Sequence, residues 1–293
     1  MEKIIPKKKL NFDLMYDDDY GFGNDNDADF LFFKNELAKY YPNADFEFLK
    51  KGYDYAFEKY KNKFRASGAP YYTHPLTVAL LLIQYFKIYD EKILVAAFLH
   101  DVIEDTQKDD SPVSKQDIAD YFGDEDLAHI VDAVTKISHD NINDEFTIYQ
   151  EKFGSTVSED VKEFLNRKKI QKALTYRKLF LTLIQDVRVI ILKLADRLHN
   201  VLTLHYFQNK AKAKDIADET LKFYAGFAYR LGFINVGKLL QEASFYYFSD
   251  EELYEKISEM IDTKEVLILE QIENYSKDLN STLSKIYDNP PQP

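Results

Sequence analysis

Apolar residues recur at three- and four-residue intervals along most of this chain, the period of a helix with one buried face. Phe46, Leu49, Tyr53 and Phe57 mark one such face, and Val78, Leu81, Leu82 and Tyr85 mark a second, with Pro75 suited to its first turn. A further helix is predicted over 91–105, where the apolar run Ile93 to Ala97 leads into Phe98-Leu99-His100-Asp101-Val102-Ile103-Glu104-Asp105-Thr106. Ser114 and Asp117 have capping-box spacing, and Gly123 is placed to close the helix they open. Leu127, Ile130, Val131 and Val134 give the next helix, and Ser158 is read as the cap of a long one through Phe164, Ile170, Leu174 and Leu181. Asp186 to Leu204 is β-branched at its start, but its length and later polar offsets favour helix over strand. Helices over 212–231 and 236–247, separated by Gly232, and two more in the last forty residues complete the pattern. No alternation of strand and helix appears. The expected fold class is all-α: a helical bundle with additional C-terminal helices.

Residues 1–30 lack this periodicity and read as an acidic flexible tail. Their Asp17-Asp18-Asp19 and Asn24-Asp25-Asn26-Asp27 clusters lack the glycine and terminal glutamate of a calcium loop. The main domain is expected over 31–250, followed by a helical extension over 251–293 that could cap the bundle or pair two copies into a homo-oligomer. The 293 residues contain no cysteine, so disulfides and thiolate metal sites are excluded and any metal must sit on histidines and carboxylates. A net charge of −12 argues against general nucleic-acid binding. Lys61, Lys63 and Arg65 nevertheless make a local basic edge that an anionic small ligand could use. The charged N-terminus has no apolar segment behind it, and the apolar run Val78 to Ile83 is too short to span a bilayer, so a cytoplasmic protein without membrane contacts is expected.

Three stretches carry polar residues that a core would not choose. On the helix read over 91–105, His100 lies over Glu104 and Asp101 over Asp105. The loop Arg65-Ala66-Ser67-Gly68-Ala69-Pro70-Tyr71-Tyr72-Thr73-His74-Pro75 delivers His74 to a helix start. In Leu194-Ala195-Asp196-Arg197-Leu198-His199-Asn200-Val201-Leu202-Thr203, residues Asp196, Asn200 and Thr203 share one face. His74, His100, Asp101 and Asp196 together offer two imidazoles and two carboxylates, a ligand set for one divalent transition metal with positions left for water and substrate. Taken singly, His74 is as readily a helix-start residue and Asp196-Arg197 a surface pair. His199 and His205 are read as packing or capping residues.

The order of these stretches resembles the H…HD…D pattern of HD-domain metal-dependent phosphohydrolases, and more narrowly the hydrolase domain of RelA/SpoT homologues, which degrade (p)ppGpp. Val134-Thr135-Lys136, Tyr176-Arg177-Lys178, Glu219-Thr220-Leu221, Tyr224-Ala225 and Arg230-Leu231-Gly232 extend the resemblance over roughly residues 36 to 255. It implies hydrolysis of the 3′-diphosphate of a guanosine alarmone, with manganese held by His74, His100, Asp101 and Asp196. Glu104 and Asp105 would handle the attacking water and its proton, or else hold a second metal. Arg65, Ser67, Tyr71, Asn200 and Thr203 would contact the nucleotide. The chain departs from that family at Ala66, Ala69, Thr175 and Leu202, where Lys, Glu, Asn and Arg are frequent, and in a longer connection over 138–169, read as a surface insertion. It ends where the family's synthetase domain would begin, which points to a hydrolase-only protein or to a piece of a longer one. The alternatives are an HD phosphohydrolase acting on another nucleotide, such as an adenine alarmone, and a regulator that binds nucleotide without turnover.

Overall fold

The structure, a computed structural model, describes Phe22, residues 25–138 and 186–248, and scattered positions between 256 and 281. Among these residues the fold is all-α; the one β feature is an isolated antiparallel bridge between Phe64 and Pro70. The helix read from Ser158, the 138–169 connection beyond Ser138 and most of the C-terminal extension lie outside the described residues. No helix among those described is long and apolar enough to cross a membrane.

Helix α1 spans Asn26–Ala38, so helical structure starts five residues before the domain expected from residue 31. The acidic cluster supplies the reason: the Asp25 carboxylate accepts from the backbone N–H of Asp27 and Ala28, at 3.0 and 3.1 Å, and so caps the first turn. Helix α2 (Phe46–Lys59) follows, capped by Asp45. Helix α3 (Thr73–Leu81) runs into a π turn over Leu82–Phe86 that stops at Lys87 in the left-handed conformation. Helix α4 (Glu91–Leu99) is apolar on every side and buried from Ile93 to Leu99, as expected of a central helix. It packs against α2, α3 and, on another side, α7 (Glu125–Ser138).

The predicted helix over 91–105 is broken. Residues His100 and Asp101 separate α4 from the single turn α5 (Val102–Asp105). His100 Nδ1 lies 2.7 Å from the Ala97 carbonyl oxygen, which accepts its proton, so a side chain competes with the backbone for that acceptor. Thr106 then fixes the exit, its hydroxyl donating to the Val102 carbonyl at 2.8 Å and accepting from the Val113 N–H at 2.9 Å. Helix α6 (Lys115–Phe122) has the predicted capping box at Ser114 and Asp117, and Gly123 closes it at φ +67°.

Helix α8 (Val187–Leu202) lies against α3 and α7 and carries the third polar stretch. The segment predicted as one helix over 212–231 is three pieces: α9 (Lys210–Glu219), a π turn over Thr220–Tyr224, and α10 (Ala225–Arg230). The buried Thr220 hydroxyl bonds back to the Ile216 carbonyl at 2.7 Å, where the α-helical ladder gives way. Gly232, at φ +86°, turns the chain into α11 (Ile234–Phe248).

Two packing features can be tested. A Cβ on Gly52 in α2 would sit 2.6 Å from Val95 Cγ1 in α4, so these helices approach only because position 52 is bare. Gly52→Ala should therefore destabilise despite its better helix propensity. Combined with Val95→Ala, the two losses should fall short of additivity by about 1–3 kcal/mol in denaturant unfolding.

At the other side of the bundle Arg188 clamps α8 to α7. It donates to both oxygens of Asp126, at 2.8 and 2.6 Å, and to Asp186 as well. Its guanidinium, followed by the Lys92 ammonium, holds Asp126 well below the usual carboxylate range; Asp186 is lowered too, Arg188 outweighing its burial. Carboxylates depressed in the folded state stabilise above the unfolded pKa, about 4, and lose that contribution as pH falls below it. Arg188→Leu should cost about 1 kcal/mol at pH 7, because the group is partly exposed. It should also flatten the decline of thermal stability below pH 4.

Candidate metal centre and adjoining cleft

The break after α4, the start of α3 and the middle of α8 bring the three polar stretches together. His74 comes from the first turn of α3, His100 and Asp101 from the break, and Asp196 from the middle of α8. His74 Nε2 lies 3.5 Å from Asp101 Oδ2 and 3.5 Å from Asp196 Oδ1. His100 Nε2 lies 3.2 Å from Asp101 Oδ2 and 3.7 Å from Asp196 Oδ1. Ligand atoms bound at about 2.1 Å around one tetrahedral ion would stand roughly 3.4 Å apart. His74, His100 and Asp101 form a group that could hold a metal ion, and Asp196 Oδ1 stands within 3.7 Å of both histidine nitrogens.

The polar atoms themselves point the same way. Both Nε2 atoms are buried and have no hydrogen-bond partner among the described residues. Buried polar atoms without partners are rare enough to require an explanation. His100 is already oriented: its Nδ1–H goes to Ala97, leaving Nε2 toward the carboxylates. Burial opposes charge on His100, but the Asp101 and Asp196 carboxylates outweigh it and raise its pKa to about 10. His74 goes the other way, because burial and then the Arg65 cation lower its pKa despite the same carboxylates. Both aspartates are depressed: their burial is overcome chiefly by His100 at Asp101 and by Lys193 at Asp196.

Three residues that sequence reasoning did not single out, or read differently, complete the surroundings. The buried Lys193 ammonium sits 2.7 Å from Asp196 Oδ2, the oxygen facing away from the histidines. His199, read as a packing residue, has its Nδ1 only 2.6 Å from His74 Nδ1. Tyr71, expected at the nucleotide, also donates to Asp101 Oδ2 at 3.2 Å. Lys193 and His199 flank Asp196 at i−3 and i+3, so helical spacing was the available signal.

Beside the metal group opens a cleft with an interior of about 220 Å³. Arg65, Ser67, Tyr71, Asn200 and Thr203 all line it, so the structure gathers all five residues expected at the nucleotide. Ala66 and Ala69 form part of the same wall, as do the aromatic rings of Phe64, Tyr206 and Phe207. Arg65 Nη2 reaches Asn200 Oδ1 at 3.3 Å and Thr203 Oγ1 at 3.5 Å, while Asn200 Nδ2 donates to Asp196 Oδ1 at 2.5 Å. A continuous path thus runs from the cleft cation to a metal-facing carboxylate.

Glu104 and Asp105 stand together on α5 and do not belong to the cleft wall. Asp105 is half-buried, and burial followed by the Asp101 charge raises its pKa to about 6. Lys63 steadies this turn, donating to the Asp105 carbonyl at 2.7 Å and to Asp109 Oδ2 at 2.8 Å. Lys63 is therefore engaged at α5 rather than free at the cleft mouth.

Known proteins resemble this chain across the same region. A 218-residue stretch is 36% identical to a Myxococcus xanthus protein named GTP pyrophosphokinase, covering 74% of this chain and 25% of the relative. An Aquifex aeolicus protein named guanosine-3′,5′-bis(diphosphate) 3′-pyrophosphohydrolase is 34% identical over 82% of this chain and 29% of its own length. Escherichia coli SpoT, named a bifunctional (p)ppGpp synthase/hydrolase, is 35% identical over 72% of this chain and 26% of its own length. The chain thus spans about a quarter of the length of these relatives. Residues 52–234 match the family described as HD domain, and with that match enclosing His74, His100, Asp101 and Asp196, the chain belongs to the HD-domain family.

Proposed function

We propose that this protein is a metal-dependent hydrolase that removes the 3′-diphosphate of (p)ppGpp, giving GDP or GTP and pyrophosphate. The observation that carries the reading is the pair of partnerless buried Nε2 atoms facing two carboxylates at the edge of a cleft walled by Arg65. Relatives named for this activity, matched over most of the chain, support the choice of substrate.

In this reading His74, His100, Asp101 and Asp196 hold one divalent ion, manganese by resemblance. When bound, such an ion supplies Lewis acidity and lowers the pKa of its water to about 7. The chain's own residues do the rest. Arg65, held by Asn200 and Thr203, meets the anionic nucleotide, and Ser67 and Tyr71 shape the wall beside it. Tyr71 also keeps Asp101 in place through its hydroxyl. Asp105, with a pKa near 6, is suited to taking a proton from the attacking water and releasing it near neutral pH, with Glu104 beside it. Water adds to the phosphorus bonded to the 3′-oxygen, that P–O bond breaks, and the 3′-oxygen leaves with a proton. Ala66 and Ala69 remove a cation and a carboxylate that the family often places on this wall, which favours testing adenine counterparts alongside guanine ones.

The purified protein with manganese should convert ppGpp to GDP with equimolar pyrophosphate, and faster than it acts on the corresponding adenine nucleotide. Asp101→Ala should reduce the rate to that of the metal-free protein. Turnover of another nucleotide with ppGpp left intact would overturn the substrate assignment; binding of ppGpp without turnover, at full metal occupancy, would overturn the enzymatic reading.

A further inference from the structure

We infer that His199 is a positioning residue for the metal centre: its Nδ1 accepts the Nδ1–H of His74 and so holds that ligand with Nε2 free for a metal ion. This inference rests on the metal reading above and assigns a role to a residue outside the four ligands. The geometry is specific. His74 Nδ1 and His199 Nδ1 are 2.6 Å apart, with the rings tilted by 36° and their centroids 4.7 Å apart. Two facing ring nitrogens at that distance must share one proton, since two would clash and none would leave two lone pairs opposed.

Where the proton sits follows from what His74 must do. Its Nε2 faces Asp101 and Asp196 at 3.5 Å each, together with His100 Nε2. If that Nε2 gives its lone pair to a metal, the neutral ring carries its proton on Nδ1, which donates to His199. His199 must then be the opposite tautomer, bare at Nδ1 and protonated at Nε2. The other ligand histidine does the same with a backbone oxygen, as His100 gives its Nδ1–H to Ala97. The two ligands are thus oriented by one carbonyl and one imidazole. Such partners commonly change metal affinity by about 10–100-fold.

His199 is also placed to matter beyond the ligand it touches. It lines the cleft between Thr73 and Thr77 of α3 and Asn200 of α8, so the residue that sets His74 is part of the wall a ligand meets. One imidazole thus adjoins both the metal group and the cleft.

The test is the affinity for Mn2+ itself, measured by calorimetry or by the paramagnetic signal of free Mn2+, without substrate. His199→Leu keeps bulk but removes the acceptor and should weaken Mn2+ binding about 10–100-fold. His199→Asn places an amide oxygen near the position of Nδ1 and should recover most of that loss. Equal affinity of wild type and His199→Leu would overturn the inference, as would an Asn variant no better than Leu, which would mark a packing role. A wild-type protein that binds no Mn2+ would instead overturn the metal reading beneath it. If the Leu variant does not fold, the wild type still decides: in protein loaded with Zn2+, a diamagnetic stand-in, ¹⁵N spectra should show His199 protonated at Nε2 and not at Nδ1. A proton on His199 Nδ1 overturns the assignment.

Discussion

Two carboxylates and two imidazoles are buried where α3, α8 and the break after α4 meet, and the surrounding structure is arranged to make that burial tolerable. An isolated charge in such a place would cost several kcal/mol even after relaxation. Here Asp101 and Asp196 face His100, whose pKa they raise to about 10 against its burial, and the Lys193 ammonium, while burial and Arg65 lower the pKa of His74. Lys193 takes the far oxygen of Asp196, so the near oxygen remains directed at the histidines. The arrangement is balanced but leaves two ring nitrogens without partners, and a cation entering between the four groups would supply what the proteins' own atoms do not. A proton and a metal ion compete for the same nitrogen, which couples occupancy to protonation.

The helix break is what allows this geometry. A continuous helix would have carried the apolar face of α4 straight on through residue 105. Ending α4 at Leu99 leaves His100 fully buried and gives Asp101 a backbone of its own, at φ −103° and ψ −3°. The single turn of α5 then sets Asp105 off the cleft wall, steadied by Lys63, in an environment that raises its pKa and leaves its buried Oδ2 without a hydrogen-bond partner among the described residues. Asp101 caps α5 and Asp105 ends it, the Asp105 N–H donating to the Asp101 carbonyl at 2.8 Å, so the two carboxylates stand one helical turn apart in different surroundings.

The helical period, the Ser114 cap, Gly123 and the four clustered groups were readable because each is signalled within a few residues. What was not readable depends on partners far away in the chain. The break at His100 needs the competition for the Ala97 carbonyl, and the π turn at Thr220 accompanies a back-bond from a buried hydroxyl. The early start of α1 was obscured because Asp25 looked like one more charge in an acidic tail, when its carboxylate is a helix cap. His199 was passed over because its significance appears only when α3 brings His74 within hydrogen-bond reach, 125 positions away in sequence. Composition and period describe faces of helices; they do not say which residue of another helix will be met.

The cleft and the metal group are best understood as one unit. Arg65 touches Asn200 and Thr203, Asn200 touches Asp196, and His199, next to Asn200, touches His74. An anion that engages Arg65 therefore acts on a residue whose partner donates to a metal-facing oxygen, through two hydrogen bonds. Neighbouring residues of α8 thus touch both groups, which gives a physical reason for the compact Asp196-to-Thr203 stretch: the helix that supplies the carboxylate facing the histidines also supplies the wall against which the Arg65 cation is held.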